Sequence, residues 1–312
     1  MKKLILFLLC LILTLPTALL ACSPDEPLHV IGLKGPTGMG MVELMEKTDD
    51  YKVDLYGAPA DVQAEIIKGA YDIAAVPSNL AAVLYKKTEG ALKVLAVNTT
   101  GVLYLLENGN TIQSIADLAG KTIYATGQGS NPQYILEYLL AQNNITADIV
   151  YESEHAALAT KLATNVVTIG MLPEPNVSSA MSQNGNLRIA LDLTAEWAKV
   201  ADGAPVQGCL VVRSELTETR EGRARIADFL DDYKASVDFV NDNPDDASTL
   251  IETHGIVPKA ALAKKAIPNC NICCVTGEDM KDLLLPFLTV LHAAKPQAVG
   301  GEIPDDDFWY LP

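Results

Sequence analysis

Short apolar runs alternate with amphipathic stretches along most of the chain. Apolar runs of roughly four to eight residues, bounded by glycine, proline or asparagine, are typical of buried strands, and longer stretches with apolar positions three or four apart are typical of helices. In the first part of the chain the pattern predicts strands at 29–33, 51–56, 71–76, 92–98 and 102–106. It predicts helices after the loop 34–38 as far as Lys47, and at 60–68 and 79–87.

A second cycle of the same kind begins after the polar break at 108–110. It predicts a helical turn at 114–118, strands at 121–125, 148–151, 167–171, 187–192 and 206–213, and helices at 132–142, at 155–163 and after Pro173-Glu174-Pro175. The remainder is mostly helical, at 223–241, 245–253, 259–266 and 278–292. Pro286 is expected to kink or split the last of these helices.

The alternation of strands and helices predicts an α/β fold with parallel sheets that carry helices on both faces. Two successive cycles predict two lobes, with lobe 1 formed by 28–103 and 207–312 and lobe 2 formed by 104–206. The strands near 92–106 and 206–213 would then carry the chain between the lobes. A pair of such crossovers forms a hinge, and hinge closure around a ligand is an established switching mode.

The first residues resemble an export signal. Lys2 and Lys3 precede an uninterrupted apolar run from 4 to 13, and Leu19-Leu20-Ala21-Cys22 follows a break at Thr14 and Pro16. This order is typical of a secretory signal peptide, here 1–21, and the run is too short to span a bilayer as a helix. Because the last four residues resemble the bacterial lipobox, Cys22 is the expected lipidation site. A lipid anchor at the outer face of the bacterial cytoplasmic membrane is therefore expected.

The charge of the chain limits its partners. The formal net charge is −16 and 49% of the residues are hydrophobic. An acidic surface repels phosphate backbones, so nucleic acid is not an expected partner. A chain of this length and apolar content can bury two cores, which agrees with two lobes.

Small polar residues recur at the points where predicted strands feed helices. In open α/β sheets, ligands bind beyond the carboxyl ends of the strands, where helix N-termini offer unpaired N–H donors. Each cluster alone is ordinary helix capping, but the recurrence favours a ligand site. The first glycine loop lacks both the lysine ending of a phosphate loop and the glycine spacing of a dinucleotide loop. The clusters lie at 35–40, 77–79, 99–101, 127–132 and 172–175.

Four segments, at 35–40, 72–81, 118–123 and 172–175, together resemble the solute-binding proteins of ABC importers. The resemblance is to the branch that binds nitrate, taurine, alkanesulfonates and thiamine precursors, and it spans nearly all of the mature chain. It implies a two-lobed clamp of the periplasmic-binding-protein type with type II sheet order. It also implies a monomeric receptor that binds a small-molecule ligand and docks on an ABC permease, without enzymatic activity, cofactor or metal.

The resemblance also implies a set of ligand-binding residues. The pocket loops of that family fall here on Thr37, Gly38, Met39, Ser78, Asn79, Thr100, Gly101, Gly129, Ser130, Asn131 and Glu174.

Two charged residues of these loops bear on the ligand. Lys34 is the only basic residue in them, and Glu174 would repel an anion unless its carboxylate is turned away. A carboxylate at the mouth of a pocket suits an amine, an amidine or a ring N–H. A neutral or amino-bearing heterocycle is therefore favoured over nitrate or a sulfonate. The alternative for Glu174 is a first-turn acid that interacts with a helix dipole. Arg188 and Arg213, in or beside strands, are expected in structural ion pairs.

Other residue clusters leave alternatives open. Cys270, Cys273 and Cys274, together with Cys209, are interpreted as structural thiols, because three nearby cysteines fall short of the four ligands of a structural zinc site. Their redox state is left open. Tyr104, Tyr124 and Tyr134 flank the predicted cleft, either as stacking surfaces or as core residues.

Two rival functions remain at this stage. One is an enzyme like the thiamine-pyrimidine synthases, which share this fold and carry a cysteine-rich iron motif. The other is a sensory lipoprotein with the same clamp. None of the four histidines lies near a plausible nucleophile with an orienting residue, which gives a hydrolase triad no support.

Overall fold

The computed structural model describes residues 26–312, and the predicted signal peptide at 1–21 and lipidation site at Cys22 lie outside that range. The strands are β1 (Leu28–Leu33), β2 (Tyr51–Tyr56), β3 (Ile73–Pro77), β4 (Leu92–Thr99), β5 (Leu103–Asn108), β6 (Thr122–Ala125), β7 (Asp148–Tyr151), β8 (Ile169–Pro173), β9 (Leu187–Asp192), β10 (Gly208–Arg213) and β11 (Ile272–Thr276).

The helices connect and cover these strands. They are α1 (Pro36–Met39), α2 (Pro59–Lys68), α3 (Ser78–Lys87), α4 (Asn131–Gln142), α5 (His155–Ala163), α6 (Asn176–Gln183), α7 (Leu193–Trp197), α8 (Ser214–Glu218), α9 (Arg220–Asp242), α10 (Pro244–Thr253), α11 (Ala260–Ala266) and α12 (Gly277–Ala294). Short 3-10 helices lie at Leu44–Glu46, Ile115–Leu118, Ile267–Asn269, Pro296–Val299 and Asp306–Phe308. Within the described residues, no helix combines the length and apolar character needed to cross a bilayer.

The strands form two sheets with the same internal order. The first sheet runs β2-β1-β3-β10-β4-β11 and the second runs β7-β6-β8-β5-β9. In the first sheet, β1 lies between β2 and β3, and β10, which arrives from the other half of the molecule, lies between β3 and β4. In the second sheet, β6 lies between β7 and β8, and β5, which arrives from the first half, lies between β8 and β9. This is the type II order that the resemblance implies, and the prediction of an α/β fold with two sheets is confirmed.

The prediction of parallel sheets is wrong for the strands that arrive from the other half. β1 runs parallel to β2 and β3, and β6 runs parallel to β7 and β8. β10 is antiparallel to β3 and β4, and β5 is antiparallel to β8 and β9. The reason is visible at Gly208, the first residue of β10, which pairs with Thr99, the last residue of β4. A strand that begins where its neighbour ends must run in the opposite direction.

The chain passes between the two sheets through short segments. β4 ends in the first sheet at Thr99 and β5 begins in the second at Leu103, while the return passes through Val206 and Gln207 into β10. α12 packs against both halves. It contacts β4 and α3 in the first half, and its Phe287 contacts Trp197 of α7 in the second half, with ring centroids 5.5 Å apart. The residue-level lobe boundaries, 28–103 with 207–312 and 104–206, stay a prediction.

The segment after β1 differs from the helix predicted to reach Lys47. α1 ends at Met39, and a separate 3-10 turn follows at Leu44–Glu46. Met39, Met41, Val42 and Leu44 are all fully buried. A helix on the face of a sheet buries only one stripe of its side chains, so this nearly continuous apolar run folds irregularly between the sheet and α9.

Pro286 does not split the last helix. α12 continues from Gly277 to Ala294 with Pro286 in its interior. Proline removes the hydrogen bond to the carbonyl four residues earlier, here that of Asp282. Pro286 and Asp282 both lie on the exposed face of α12, where water can hydrate that carbonyl. Strand β11 and the short helices α7 and α8 were not predicted from the sequence.

Candidate functional site

A cavity of about 770 Å³ lies between the two halves of the molecule. The first half contributes the loops after β1, β3 and β4 and the start of β10. The second half contributes the loops after β6, β7 and β8. These are the strand ends at which ligands bind in open α/β sheets.

Several helices begin at this cavity. The residues that precede α3, α4 and α5 make no side-chain cap to the first turn of their helix. Uncapped first turns leave backbone N–H groups and a partial positive charge directed at whatever occupies the adjacent space. In the loop before α4, Gly127 and Gly129 have φ of 77° and 78°. Glycine adopts that conformation without strain, which lets the loop turn tightly at the cavity wall.

The structure brings six of the predicted ligand-binding residues to the cavity wall. They are Thr37, Asn79, Gly129, Ser130, Asn131 and Glu174. Thr37 is held in place because its Oγ1 donates to the carbonyl of Leu33, 2.9 Å away. The other five predicted residues lie behind this wall.

Gly38 and Met39 belong to the core of the first half. Met39 is fully buried, and its Sδ lies 3.9 Å from the Sγ of Cys270. A Cβ added at Gly38 would lie 2.8 Å from the carbonyl oxygen of Leu33 and 2.9 Å from Leu55. These two residues therefore position the loop 34–37 from behind.

Ser78 is a fully buried connector between the halves. Its Oγ donates to the carbonyl of Val206, 2.6 Å away, and accepts from the Nδ2 of Asn131 at 3.0 Å. The same Nδ2 lies 2.9 Å from the carbonyl oxygen of Gln207. The starts of α3 and α4 and the returning crossover are thus joined by one hydrogen-bonded group.

Thr100 and Gly101 lie in the first crossover, where Asn271 holds both. The backbone N–H of Thr100 donates to the carbonyl of Asn271 at 3.2 Å, and the Nδ2 of Asn271 donates to the carbonyl of Gly101. A Cβ added at Gly101 would overlap the Oγ1 of Thr194 and lie 2.8 Å from its Cβ. The two residues fix the path of the crossover.

Glu174 is 1% exposed, and Ser178 contacts both of its carboxylate oxygens. The backbone N–H of Ser178 donates at 3.0 Å and its Oγ at 2.9 Å, in the first turn of α6. Burial raises the pKa of Glu174, while the hydrogen bonds from Ser178 oppose the shift. Glu174 precedes α6 and does not lie in its first turn, but its carboxylate accepts a hydrogen bond from that turn. The arrangement is therefore closer to the alternative of an acid at a helix start than to a carboxylate held out to a ligand.

The charges at the cavity are few and mostly paired. Among the described residues that line it, the charged side chains besides Glu174 are Lys34, which is exposed, and Glu152, which pairs with Lys161 at 2.5 Å. His155 also lines the cavity, and its Nδ1 lies 2.7 Å from the Oγ1 of Thr126. Burial lowers the pKa of His155, which favours its neutral form.

Carboxamide side chains are the prominent polar group of the cavity. The lining residues of this type are Gln63, Asn79, Gln128, Asn131, Asn176, Gln207 and Gln297. Of these residues, the sequence pattern predicts only Asn79 and Asn131, the two asparagines at the starts of α3 and α4. Gln128 could have been found by the same strand-end rule, but Gln207 lies just before β10 and Gln297 comes from the C-terminal segment, and no strand-end pattern marks either position.

The candidate tyrosines differ in position, and the candidate arginines form ion pairs. Tyr134 lines the cavity, whereas Tyr104 is 6% exposed and its hydroxyl donates to the carbonyl of Asn269 at 3.2 Å. The predicted ion pairs are confirmed, with Arg188 to Glu107 at 2.5 Å and Arg213 to Asp72 at 2.8 Å.

Cys270, Cys273 and Cys274 are free thiols. Cys270 is fully buried, and Cys273 and Cys274 lie on β11 and pack into different cores. Burial raises the pKa of Cys273 to about 12 and that of Cys274 to about 11. Within residues 26–312, no group of three or more His, Cys, Asp and Glu side chains is placed to hold a metal ion.

Comparison with known proteins identifies the family. Residues 40–261 match the family model described as "ABC transporter, phosphonate, periplasmic substrate-binding protein". The chain belongs to this family. Membership supports a small-molecule ligand and an ABC permease as partners of this ABC transporter substrate-binding protein, and an extracytoplasmic location. Among curated proteins, none matched the sequence.

Solved structures share the fold over nearly the whole chain. An ABC transporter protein from Parabacteroides distasonis has 26% identity and a TM-score of 0.77, with 92% of this chain and 99% of that chain covered. The periplasmic aliphatic sulphonate binding protein SsuA of Escherichia coli has 16% identity and a TM-score of 0.71, with 92% of each chain covered. The periplasmic nitrate-binding protein NrtA of Synechocystis PCC 6803 has 11% identity and a TM-score of 0.60, with 88% of this chain and 84% of that chain covered.

Proposed function

We propose that this protein is the membrane-tethered solute receptor of an ABC importer, and that it binds its ligand in the cavity between the two sheets. The observation that carries the proposal is the convergence of uncapped helix starts from both halves on one cavity. A ligand that contacts both halves favours the closed form through its higher affinity for that form. The closed receptor would then dock on the permease.

The ligand class that we propose is a neutral or amino-bearing heterocycle. Glu174 supports this class less than the sequence suggested, because Ser178 already contacts both carboxylate oxygens. The support comes from the carboxamides, which offer both donors and acceptors and carry no charge. Tyr134 adds an aromatic face to the same cavity.

An organic oxyanion, such as a phosphonate or a sulfonate, is the second candidate ligand. The matched family is described by phosphonate, and the uncapped starts of α4 and α5 would favour an anion. Lys34 is the one cation among the described lining residues, and it is exposed. Because no buried lysine or arginine side chain lines the cavity within residues 26–312, we rank the oxyanion second.

Thermal-shift screening of the purified protein tests the function and ranks the two ligand classes. A ligand at about 100 times its Kd stabilises the folded protein by about 2.7 kcal/mol. We expect a positive shift from at least one aminopyrimidine and smaller shifts from methylphosphonate, ethanesulfonate and nitrate. Native mass spectrometry of the same sample would detect a co-purified small molecule. If no compound raised the melting temperature and no small molecule co-purified, the receptor proposal would be contradicted.

The membrane tether rests on Cys22. In the sequence, β1 begins only six residues after this cysteine, so a lipid there would hold the receptor close to the bilayer. Two or more acyl chains are needed for stable anchoring. We expect wild-type protein to label with palmitate and to sediment with membranes. The Cys22→Ser variant should do neither, and labelling of that variant would contradict the assignment.

The rival functions are tested by different measurements. A thiamine-pyrimidine-type enzyme would bind iron, so metal analysis of the purified protein separates it from a receptor. A sensory lipoprotein would bind ligand without an import partner. Deletion of a neighbouring permease gene would abolish ligand uptake for the importer component and leave it unchanged for a sensor.

A further inference from the structure

Five polar residues meet where the starts of α3 and α4, the end of β4 and the returning crossover come together. We call this group the polar junction, and it consists of Asn79, Asn98, Thr99, Asn131 and Gln207. The backbone N–H of Gln207 donates to the carbonyl of Thr99 at 2.9 Å, and Asn131 reaches the carbonyl of Gln207. All members except Asn98 also line the cavity.

The polar junction holds most of the buried side-chain polar atoms that have no protein partner among the described residues. These atoms are Asn79 Oδ1, Asn98 Nδ2, Asn98 Oδ1, Thr99 Oγ1, Asn131 Oδ1 and Gln207 Nε2. Asn79 is 5% exposed and Asn131 is 1% exposed. Buried polar groups in native proteins are nearly always hydrogen-bonded, so atoms without a protein partner that are concentrated at one place call for a partner from outside the chain, a water or a ligand.

The orientation of two of these amides is fixed by their neighbours. The Nδ2 of Asn79 donates to the carbonyl of Ala298 at 3.2 Å, and the Nδ2 of Asn131 donates to the carbonyl of Gln207. A flipped amide would place Oδ1 against a carbonyl oxygen, which only accepts. The unpaired atom of each residue is therefore the acceptor Oδ1, one from each half of the molecule.

We infer that Asn79 and Asn131 set the ligand specificity of this receptor, by accepting hydrogen bonds from N–H or O–H groups of the ligand through their Oδ1 atoms. The inference rests on the proposed function and specifies what the ligand must carry. A ligand with donors satisfies one acceptor in each half, which links recognition to closure. An ion with acceptors only, such as nitrate or ethanesulfonate, leaves both oxygens unpaired and places negative charge beside them.

The test uses pairs of compounds that differ in hydrogen-bond donors. The pairs are 4-aminopyrimidine with 4-(dimethylamino)pyrimidine, aminomethylphosphonate with methylphosphonate, and taurine with ethanesulfonate, each titrated by calorimetry into the full-length purified protein. Sites built to hydrogen-bond a donor reject analogues that lack it. We expect the donor-bearing member of any pair that binds to bind at least about tenfold more tightly.

Matched variants assign the preference to residues. Asn79→Leu and Asn131→Leu have nearly the same shape as the wild type but lack the acceptor, and each should reduce the preference within a pair by at least about tenfold. Gln142→Leu removes an exposed carboxamide at the far end of α4, away from the cavity, and should keep the preference. Thermal unfolding without ligand checks that each variant is folded, and the wild-type comparison stands even if one variant is not.

The outcomes separate the two proposals. Equal affinity for both members of a pair, with binding intact, would overturn the role of Asn79 and Asn131 and leave the receptor function standing. A wild-type preference that persists in both leucine variants would do the same. Binding of none of the six compounds, together with the lack of any co-purified small molecule, would contradict the receptor function itself.

Discussion

The Nδ2 of Asn131, in the first turn of α4, donates to the Oγ of Ser78, in the first turn of α3, across 3.0 Å. The two residues are 53 positions apart in sequence, and their helices follow strands of different sheets. Ser78 also contacts the returning crossover, because its hydroxyl donates a hydrogen bond to the carbonyl of Val206. This contact joins the two walls of the cavity at the point where the chain itself crosses.

Removing the Ser78 hydroxyl tests the strength of this connection. In Ser78→Ala, Asn131 loses one acceptor and the carbonyl of Val206 loses its shorter hydrogen bond, although the Nδ2 of Asn131 still lies 3.3 Å from that carbonyl oxygen. Each lost hydrogen bond costs about 0.5–1.5 kcal/mol. We expect the free energy of unfolding in urea to fall by about 2 kcal/mol. Ser182→Ala, on the exposed face of α6, is the control and should change it by less than about 0.5 kcal/mol. Equal stability of the two variants would show that the contact is not formed.

The close approach at Gly101 predicts a strict requirement for glycine. Alanine there would overlap Thr194 at the start of α7, so the crossover or the helix must move. We expect Gly101→Ala to lower the free energy of unfolding by about 1–3 kcal/mol.

Gly57→Ala is the matched control for this position. A Cβ at Gly57 has no atom within 4 Å, and stability should hardly change. Adding Thr194→Gly to Gly101→Ala should restore part of the loss in a double-mutant cycle. Additive effects of the two substitutions would show that these residues do not touch.

The ion pair between Arg188 and Glu107 should contribute to the stability of the pairing between β5 and β9. Glu107 is 2% exposed and also accepts hydrogen bonds from the backbone N–H groups of Thr111 and Ile112. Removal of one partner leaves a buried charge, so we expect Arg188→Met to cost about 3 kcal/mol by urea unfolding. Lys234→Met breaks an exposed pair with Asp238 and should cost less than about 1 kcal/mol.

His155 predicts a loss of stability in acid. Burial lowers its pKa in the folded protein, so the unfolded chain binds the proton more readily as the pH falls below about 6.5. Protonation of the unfolded chain then draws the equilibrium away from the folded form. We expect the free energy of unfolding of the wild type to fall relative to that of His155→Gln between pH 8 and pH 5.

The burial of Glu174 acts in the opposite direction. Because burial raises the pKa of Glu174, the folded protein holds the proton on this carboxyl more tightly than the unfolded chain does. The resulting stabilisation is present at low pH and is lost as the pH rises above about 4.5. Subtraction of the His155→Gln profile from that of wild type removes this contribution, since both proteins contain Glu174. A difference that is flat from pH 8 to pH 5 would contradict the assignment for His155.

The regular elements were predictable because their signals are local. β2, β7, β9 and α5 begin and end where the alternation of apolar and polar residues places them. The prediction of a helix from Met39 to Leu44 was wrong, because an irregular segment that is buried on all sides can have the same apolar residues as an amphipathic helix. β11 was not predicted because the residues from Cys270 to Cys274 were interpreted by their thiol chemistry, whereas the segment pairs with β4 and forms an edge of the first sheet.

The site was predictable to the level of loops and no further. Strand-end loops identified Thr37, Asn79 and Asn131 because position after a strand is visible in sequence. Whether a side chain faces the cavity depends on contacts from distant segments, such as that of Asn271 with Gly101 or of Cys270 with Met39. Gln297 reaches the cavity from a segment more than 80 residues after the returning crossover, a distance that no local pattern can bridge.

The most direct test of the account is a crystal structure of the protein with the compound that stabilises it most. We expect one molecule in the cleft, in contact with both sheets' loops and within about 3.2 Å of the Oδ1 atoms of Asn79 and Asn131. Density confined to one half, or in a groove away from these two asparagines, would contradict the proposed way in which this receptor holds its ligand.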